Sequence, residues 1–463
     1  MKRTLATLLT AALCSCGGGT PPANSARAPA TNQTQATAET PLEGRPMSLH
    51  ERSKIEPLLR AAQEVRSLRF AHDVPMQVQT AASIRHSMES ELEDEDILKN
   101  RNFYVALGLL PDDVDVRELL LDVLGEQVVG YYDTKLSRLT LRDDVMNQSF
   151  AFGPSTRSTS MDSPAMVIVH ELVHALQDQN LGLSAAEELD RSDDAGNAFH
   201  AVVEGDATLA MIAHLMHRNG VPLYMLAGQI PMLRQMLSSQ PQQATPGSEA
   251  LMHAPPIVRV PLLSSYVDGM LFCITIYAAR GGWEAVNQAH RTPPVSTEQI
   301  LHPEKFLAGE LPDAITLPEF GALAAAGWRT LTDDTVGELE MGVYFGLATH
   351  ADSNKAAAAG WGGDRVRVLQ NAAGDLSAVW FTTWDNEAEA VEAEAAARAI
   401  FPATPAARAA ATARSHHELR VGRALLIVRN LSDAQEYASV ESAFRAFATA
   451  LPAHIVAPSV DAH

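Results

Sequence analysis

The 463-residue chain is 46% hydrophobic and carries 35 Lys+Arg against 56 Asp+Glu, a formal net charge of −21. That apolar share supplies a large core and excludes a disordered chain, and the length suggests two folded domains plus tails. A surface this acidic repels phosphate backbones, which argues against a nucleic-acid partner, and three cysteines cannot build a disulfide scaffold.

Lys2 and Arg3 precede an apolar stretch from Leu5 to Leu13, followed by a cleavage zone at Leu13-Cys14-Ser15-Cys16. This tetrapeptide resembles a bacterial lipobox, with small Ser15 just before Cys16. The resemblance implies a signal peptide over 1–15, a membrane anchor through lipid on Cys16, and residence at the cell envelope. Gly17 rather than Asp after that cysteine points, by the same likeness, to the periplasmic side of the outer membrane. Ordinary secretion is the alternative. With lipid on Cys16 and Cys14 removed with the signal, Cys273 would be the only remaining thiol. Residues 16–46 are small, polar and proline-containing, so they read as a disordered tether.

From Ser48 the apolar spacing of Ile55, Leu58, Leu59 and Ala62 predicts a helix. Val74 to Gln79 alternates like a strand, and the acidic run Glu89 to Asp96 reads as the solvated face of one helix. Asp113 or Asp115 caps a helix carrying Leu119, Leu120, Val123 and Leu124. Val128 to Tyr132 and Leu139 to Leu141 form a β-hairpin. Helices follow near 164–180 and 195–217, then a loop over Pro256 to Pro261 and an apolar helix over 264–279. Met270 to Ala279 is too short to span a bilayer and reads as buried helix. Beyond residue 309, strands at Arg365 to Gln370, Ala378 to Thr382 and Ala424 to Arg429 alternate with helices near 386–399 and 433–449. Trp361 to Arg365 is a tight turn leading into a strand.

The chemistry concentrates at His170-Glu171-Leu172-Val173-His174. Residues four apart share a helix face, so both imidazoles can bind one cation, with Glu171 placed to reach a water beside it. Asp162 or Ser163 can cap this helix, Pro164 suits its first turn and Gly182 follows its end. Val167, Ile168, Val169, Leu172, Val173 and Leu176 cover most of its circumference. Histidines buried among them are costly unless something pairs them.

Zinc hydrolases use three protein ligands and keep a fourth position for water. The long zinc motif, which needs glycine at 177 and histidine at 180, is excluded by Gln177 and Asn180. The next helix, capped by Asp193 or Asp194, presents Glu204, which we assign as the third ligand. His200, one turn earlier on the same face, is the rival; Asp206 points elsewhere.

His170-Glu-x-x-His174 with a glutamate on a following helix resembles the zincin metallopeptidases, in the glutamate-ligand branch that includes thermolysin-like enzymes. Two features depart from the thermolysin-like pattern: Glu204 lies 30 residues after His174, and Thr208 stands where those enzymes place an aspartate. A closer likeness is to exported bacterial proteins with related blocks, here Glu126 to Asp133, the HELVHALQDQ run, Val203 to Ala207, Pro294 to Lys305 and Gly360 to Arg365. The resemblance implies an α+β fold, with a mostly helical zincin-like domain and small β-hairpin sheet over 47–308 and a smaller C-terminal α/β domain over 309–463. It further implies one Zn²⁺ per chain, a peptide or protein substrate, and Glu171 as the base.

Asp178, four residues after His174, could accept that ring's distal N–H. Tyr266 and His302 are candidate donors to the oxyanion of a peptide-hydrolysis intermediate. The hairpin strand around Leu139 to Leu141 could pair with an extended substrate. Two other functions fit the same residues: a non-catalytic envelope protein using the scaffold for binding, or a zinc amidase acting on cell-wall peptides.

Overall fold

The structure, a computed structural model, describes residues 44–127, 129–147, 164–239, 249–400 and 415–452. The expected export signal, Cys16, most of the expected tether, and the expected caps Asp162 and Ser163 lie outside the described residues. The class is α+β, with helices around two small sheets.

The longer helices are α1 (Leu49–Arg66), α2 (Ala81–Glu91), α3 (Asp94–Leu107), α4 (Val116–Gln127), α5 (Pro164–Leu181) and α6 (Asp193–Arg218). They continue with α7 (Ile230–Ser239), α8 (Pro256–Arg280), α9 (Trp283–Arg291), α10 (Gly337–Gly346), α11 (Glu387–Ala399) and α12 (Ala434–Ala450). The first sheet holds β1 (Arg45–Pro46), β2 (Met76–Gln79), β3 (Gly130–Asp133) and β4 (Arg138–Arg142), in the order β1-β2-β4-β3. β2 and β4 run parallel and the other two pairings are antiparallel. Residues 45–46, expected in the tether, therefore belong to the sheet, paired with Gln77 and Val78.

The second sheet comprises β5 (Arg329–Asp334), β6 (Trp361–Gln370), β7 (Leu376–Trp384), β8 (His416–Val421) and β9 (Ala424–Arg429), ordered β5-β6-β7-β9-β8. Every pairing in it is antiparallel, with β9 between β7 and β8, so among the described residues the C-terminal sheet has no parallel pair of the kind an α/β unit contains. One apolar cluster joins Ile84, Phe103 and Leu120 of α2–α4 to Tyr344, Trp380 and Ile427. Residues on both sides of position 309 thus share a core.

Local chemistry sets the helix ends. Ser48 and Glu51 form a reciprocal capping box at the start of α1. The acidic run divides between two helices, with Leu92 and Glu93 separating α2 from α3. Asp115 accepts from the Glu118 N–H at the head of α4. Gly182, at φ +73°, stops α5 where a side chain would be strained. Ser192, rather than Asp193 or Asp194, caps α6 by accepting from the Ala195 N–H. Asp194 instead accepts from the Thr297 N–H and hydroxyl.

α8 differs most from its sequence reading. Pro256 suits a first turn, so the expected loop at 256–261 is already helical, with Pro261 inside it. The resulting 25-residue helix is apolar enough by length and composition to cross a membrane, yet 78% of its apolar window is buried within the protein. It crosses α6 at Gly205 and Gly269, so closely that a Cβ at Gly205 would sit 2.1 Å from the Gly269 carbonyl carbon.

This crossing holds α6 and α8 in fixed relation. Gly205→Ala is expected to lower unfolding stability by about 1–3 kcal/mol through overpacking, read from denaturant midpoints. Gly321→Ala, where the added Cβ meets nothing within 4 Å, should leave the midpoint unchanged or slightly raised.

Candidate metal centre

α5 is buried on every side from Met166 to Gln177, so its polar residues must find partners inside the protein. His170 and His174 leave it one turn apart, their rings 4.7 Å between centroids and edge to face. Glu204 meets them from α6: its Oε2 lies 3.0 Å from His170 Nε2 and 3.6 Å from His174 Nε2. One potential ligand atom from each residue falls within 4.8 Å of the other two.

A carboxylate only 2% exposed needs positive charge beside it. Burial pushes the Glu204 carboxyl up, but His174 and His170 outweigh it and hold the group well below the usual range. Burial likewise disfavours charge on His174, yet the Glu204 carboxylate, assisted by Glu171, raises that ring to about 10. The cluster therefore calls for a cation, supplied by a proton on an imidazole or by a metal ion. Two imidazole nitrogens and one carboxylate oxygen within 4.8 Å of one another are a donor set that fits a tetrahedral divalent ion with a fourth position left over.

His200, the rival third ligand, lies outside this cluster. Its ring packs beside Phe199 at 5.7 Å, and burial pushes it down to about 4. Glu171 points toward the first sheet, where its Oε2 accepts from the Tyr132 N–H at 2.9 Å. Burial outweighs the nearby His174 and His170 and raises its carboxyl. One oxygen is thus fixed by the backbone.

Asp178 does not orient His174. It accepts from the Tyr132 hydroxyl at 2.8 Å and from the Ser184 hydroxyl and N–H, which turns it toward β3 and the Leu183–Glu187 turn. The distal nitrogen of His174 is met by Gln177, with Nδ1 and Oε1 2.9 Å apart. Gln177 Nε2 in turn donates to the Val203 carbonyl at 3.0 Å and to Asp206 Oδ2 at 2.9 Å.

Asp206 faces away from the imidazoles, and it holds the helices around them together. It pairs with Arg66 of α1 at 2.6 Å, with both side chains fully buried, and accepts from His290 Nε2 of α9 at 2.9 Å. Burial is outweighed by Arg66 and His290, which keep this carboxyl well below its ordinary range. Arg66 also donates to Asn287 and lies 4.6 Å over the Trp283 ring.

Of the two oxyanion candidates, Tyr266 of α8 stands at the site, its ring stacked on His170 with centroids 5.9 Å apart. His302 does not serve as expected: its Nε2 lies 2.9 Å from Glu338 and its Nδ1 3.7 Å from Glu304. Burial opposes its charge, but these two acids raise it to about 10, so both nitrogens are committed to carboxylates. β4, expected to receive substrate, lies between β2 and β3 with both edges occupied; β3 is the edge strand.

A second acidic group, Glu298, Glu310 and Asp385, is close enough to hold a cation. The Lys305 ammonium already lies 2.6, 2.9 and 2.8 Å from these three, which accounts for their charge.

Sequence reading missed Gln177, Tyr132, Arg66 and His290. Gln177 carries a signal: it is the first polar residue after His174 and lies three positions on, within reach of that ring on a helix. Arg66 and His290 carry none, being distant in the chain. Residues 324–442 are similar to a family described as a domain of unknown function (DUF8575), a stretch that excludes the His–His–Glu cluster. No curated protein and no solved structure matches the chain.

Arg66→Met would leave the Asp206 carboxylate buried without its main cation. The expected loss is about 3–5 kcal/mol of unfolding stability, measured by denaturant titration. Arg445→Met, which breaks an exposed i,i+4 pair with Glu441, should cost only about 0.3–0.5 kcal/mol.

Proposed function

We propose that the chain is a zinc-dependent peptidase, tethered to the bacterial cell envelope through lipid on Cys16. One observation carries this reading. The two imidazoles of the His-Glu-x-x-His helix and the Glu204 carboxylate face a common point, while Glu171 beside them is held by a sheet edge. A purely structural metal site has no use for that fourth group.

Zn²⁺ bound by His170, His174 and Glu204 would supply Lewis acidity, making water acidic near neutral pH and polarising the scissile carbonyl. Glu171 takes a proton from the attacking water and returns it to the leaving amine. Its Oε2 is anchored by the Tyr132 N–H, so the proton goes to Oε1. Tyr266, stacked on His170, donates its hydroxyl to the developing oxyanion. An extended substrate would add along β3, the edge strand of the first sheet, whose Tyr132 N–H already faces the base.

Purified protein should hold one zinc per chain by elemental analysis, and His170→Ala or Glu204→Ala should hold none. Glu171→Gln is expected to retain zinc while lowering kcat on a peptide library by about 10²–10⁴. Full zinc occupancy with no cleavage of any peptide would contradict the enzymatic reading and leave a binding protein.

A further inference from the structure

A buried polar chain runs outward from the metal-facing His174 through Gln177 and Asp206 to Arg66 and His290. Gln177 is 0% exposed, as are Arg66 and Asp206. An amide in such a place has two ends with opposite demands. Its NH₂ must find acceptors and its oxygen a donor.

The surroundings leave one orientation. The Val203 carbonyl can only accept, and Asp206 is held ionised by Arg66, so both of these partners require the Gln177 NH₂. Gln177 Oε1 must then face His174 Nδ1, 2.9 Å away. An oxygen at that place accepts, so Nδ1 carries a hydrogen, and in the neutral ring that a metal ion requires Nε2 is the nitrogen left with a lone pair. Nε2 is the atom directed at Glu204. The tautomer of a neutral His174 is therefore dictated from Arg66 inward, across three helices.

We propose that Gln177 is the positioning residue of the metal centre: locked by Asp206 and the Val203 carbonyl, it holds His174 in the Nδ1–H tautomer and so presents Nε2 to the ion. This rests on the metal-binding reading above and adds to it. A neutral amide fills the place where metal-bound histidines more often meet a carboxylate, so His174 is oriented without gaining a negative charge behind it. The negative charge of Asp206 stays one residue further out, where Arg66 and His290 compensate it.

The test uses the full chain, with zinc affinity measured by competition against a chromophoric chelator and the visible spectrum recorded with Co²⁺ in place of zinc. Gln177→Leu removes the acceptor and should weaken zinc binding by about 10–100-fold with a changed Co²⁺ spectrum. Gln177→Glu lowers the thermal midpoint by placing a second carboxyl beside Asp206, yet it keeps an acceptor for His174 and should bind zinc more tightly than Gln177→Leu. If Gln177→Leu matches wild type in affinity, or both variants lose affinity equally, the positioning role is wrong. A long-range ¹H–¹⁵N spectrum of the zinc-loaded wild type needs no variant: it should show His174 protonated at Nδ1, and ligation through Nδ1 overturns the inference. Wild-type protein that binds no zinc overturns the metal reading and this inference with it.

Discussion

Two carboxylates buried two residues apart on α6 dictate much of the surrounding arrangement. Glu204 is 2% exposed and Asp206 fully buried, and neither can stay ionised without a cation within reach. Their side chains leave the helix in different directions, so the two demands are met separately. Asp206 takes Arg66 from α1 and His290 from α9; Glu204 takes the two imidazoles of α5. Removing either set leaves a charge in the core, a larger penalty than losing one apolar contact. The helices that frame the site are thus held by the same requirement that gives the site its charge.

These two compensations have different consequences. The Arg66–Asp206 pair is permanent, since a guanidinium does not lose its proton in proteins. The imidazoles facing Glu204 can exchange a proton for a metal ion, because each Nε2 is directed at the same carboxylate oxygen. One buried acid is structural and its neighbour is open to chemistry. The glycine pair at the α6–α8 crossing adds a third constraint, since it brings Tyr266 of α8 against His170 without a side chain between the helices.

The His–His–Glu cluster is legible in the sequence because its signal is local. His170 and His174 announce a helix face by spacing alone, and Glu204 stood out as a charge interrupting apolar cover. Asp178 was a reasonable acceptor by the same spacing rule, but Tyr132 and Ser184, brought by β3 and the Leu183–Glu187 turn, claim it first. His302 reads as a loop histidine in sequence, and only the fold brings Glu338 to it. In α8, a proline at 261 read as a loop because its cost to a helix is visible while the tertiary packing that absorbs it is not. β5 and β8 escaped for a related reason: β5 is short and polar along much of its length, and β8 is half-buried throughout.

The most direct measurement is zinc K-edge X-ray absorption on the full chain reconstituted with one equivalent of zinc. A site built from His170, His174 and Glu204 gives a first shell of four or five nitrogen and oxygen atoms near 2.0–2.1 Å, with outer-shell scattering from two imidazoles. Sulfur in the first shell, or an oxygen shell without imidazole scattering, would show that the ion sits elsewhere and that these three residues are not its ligands.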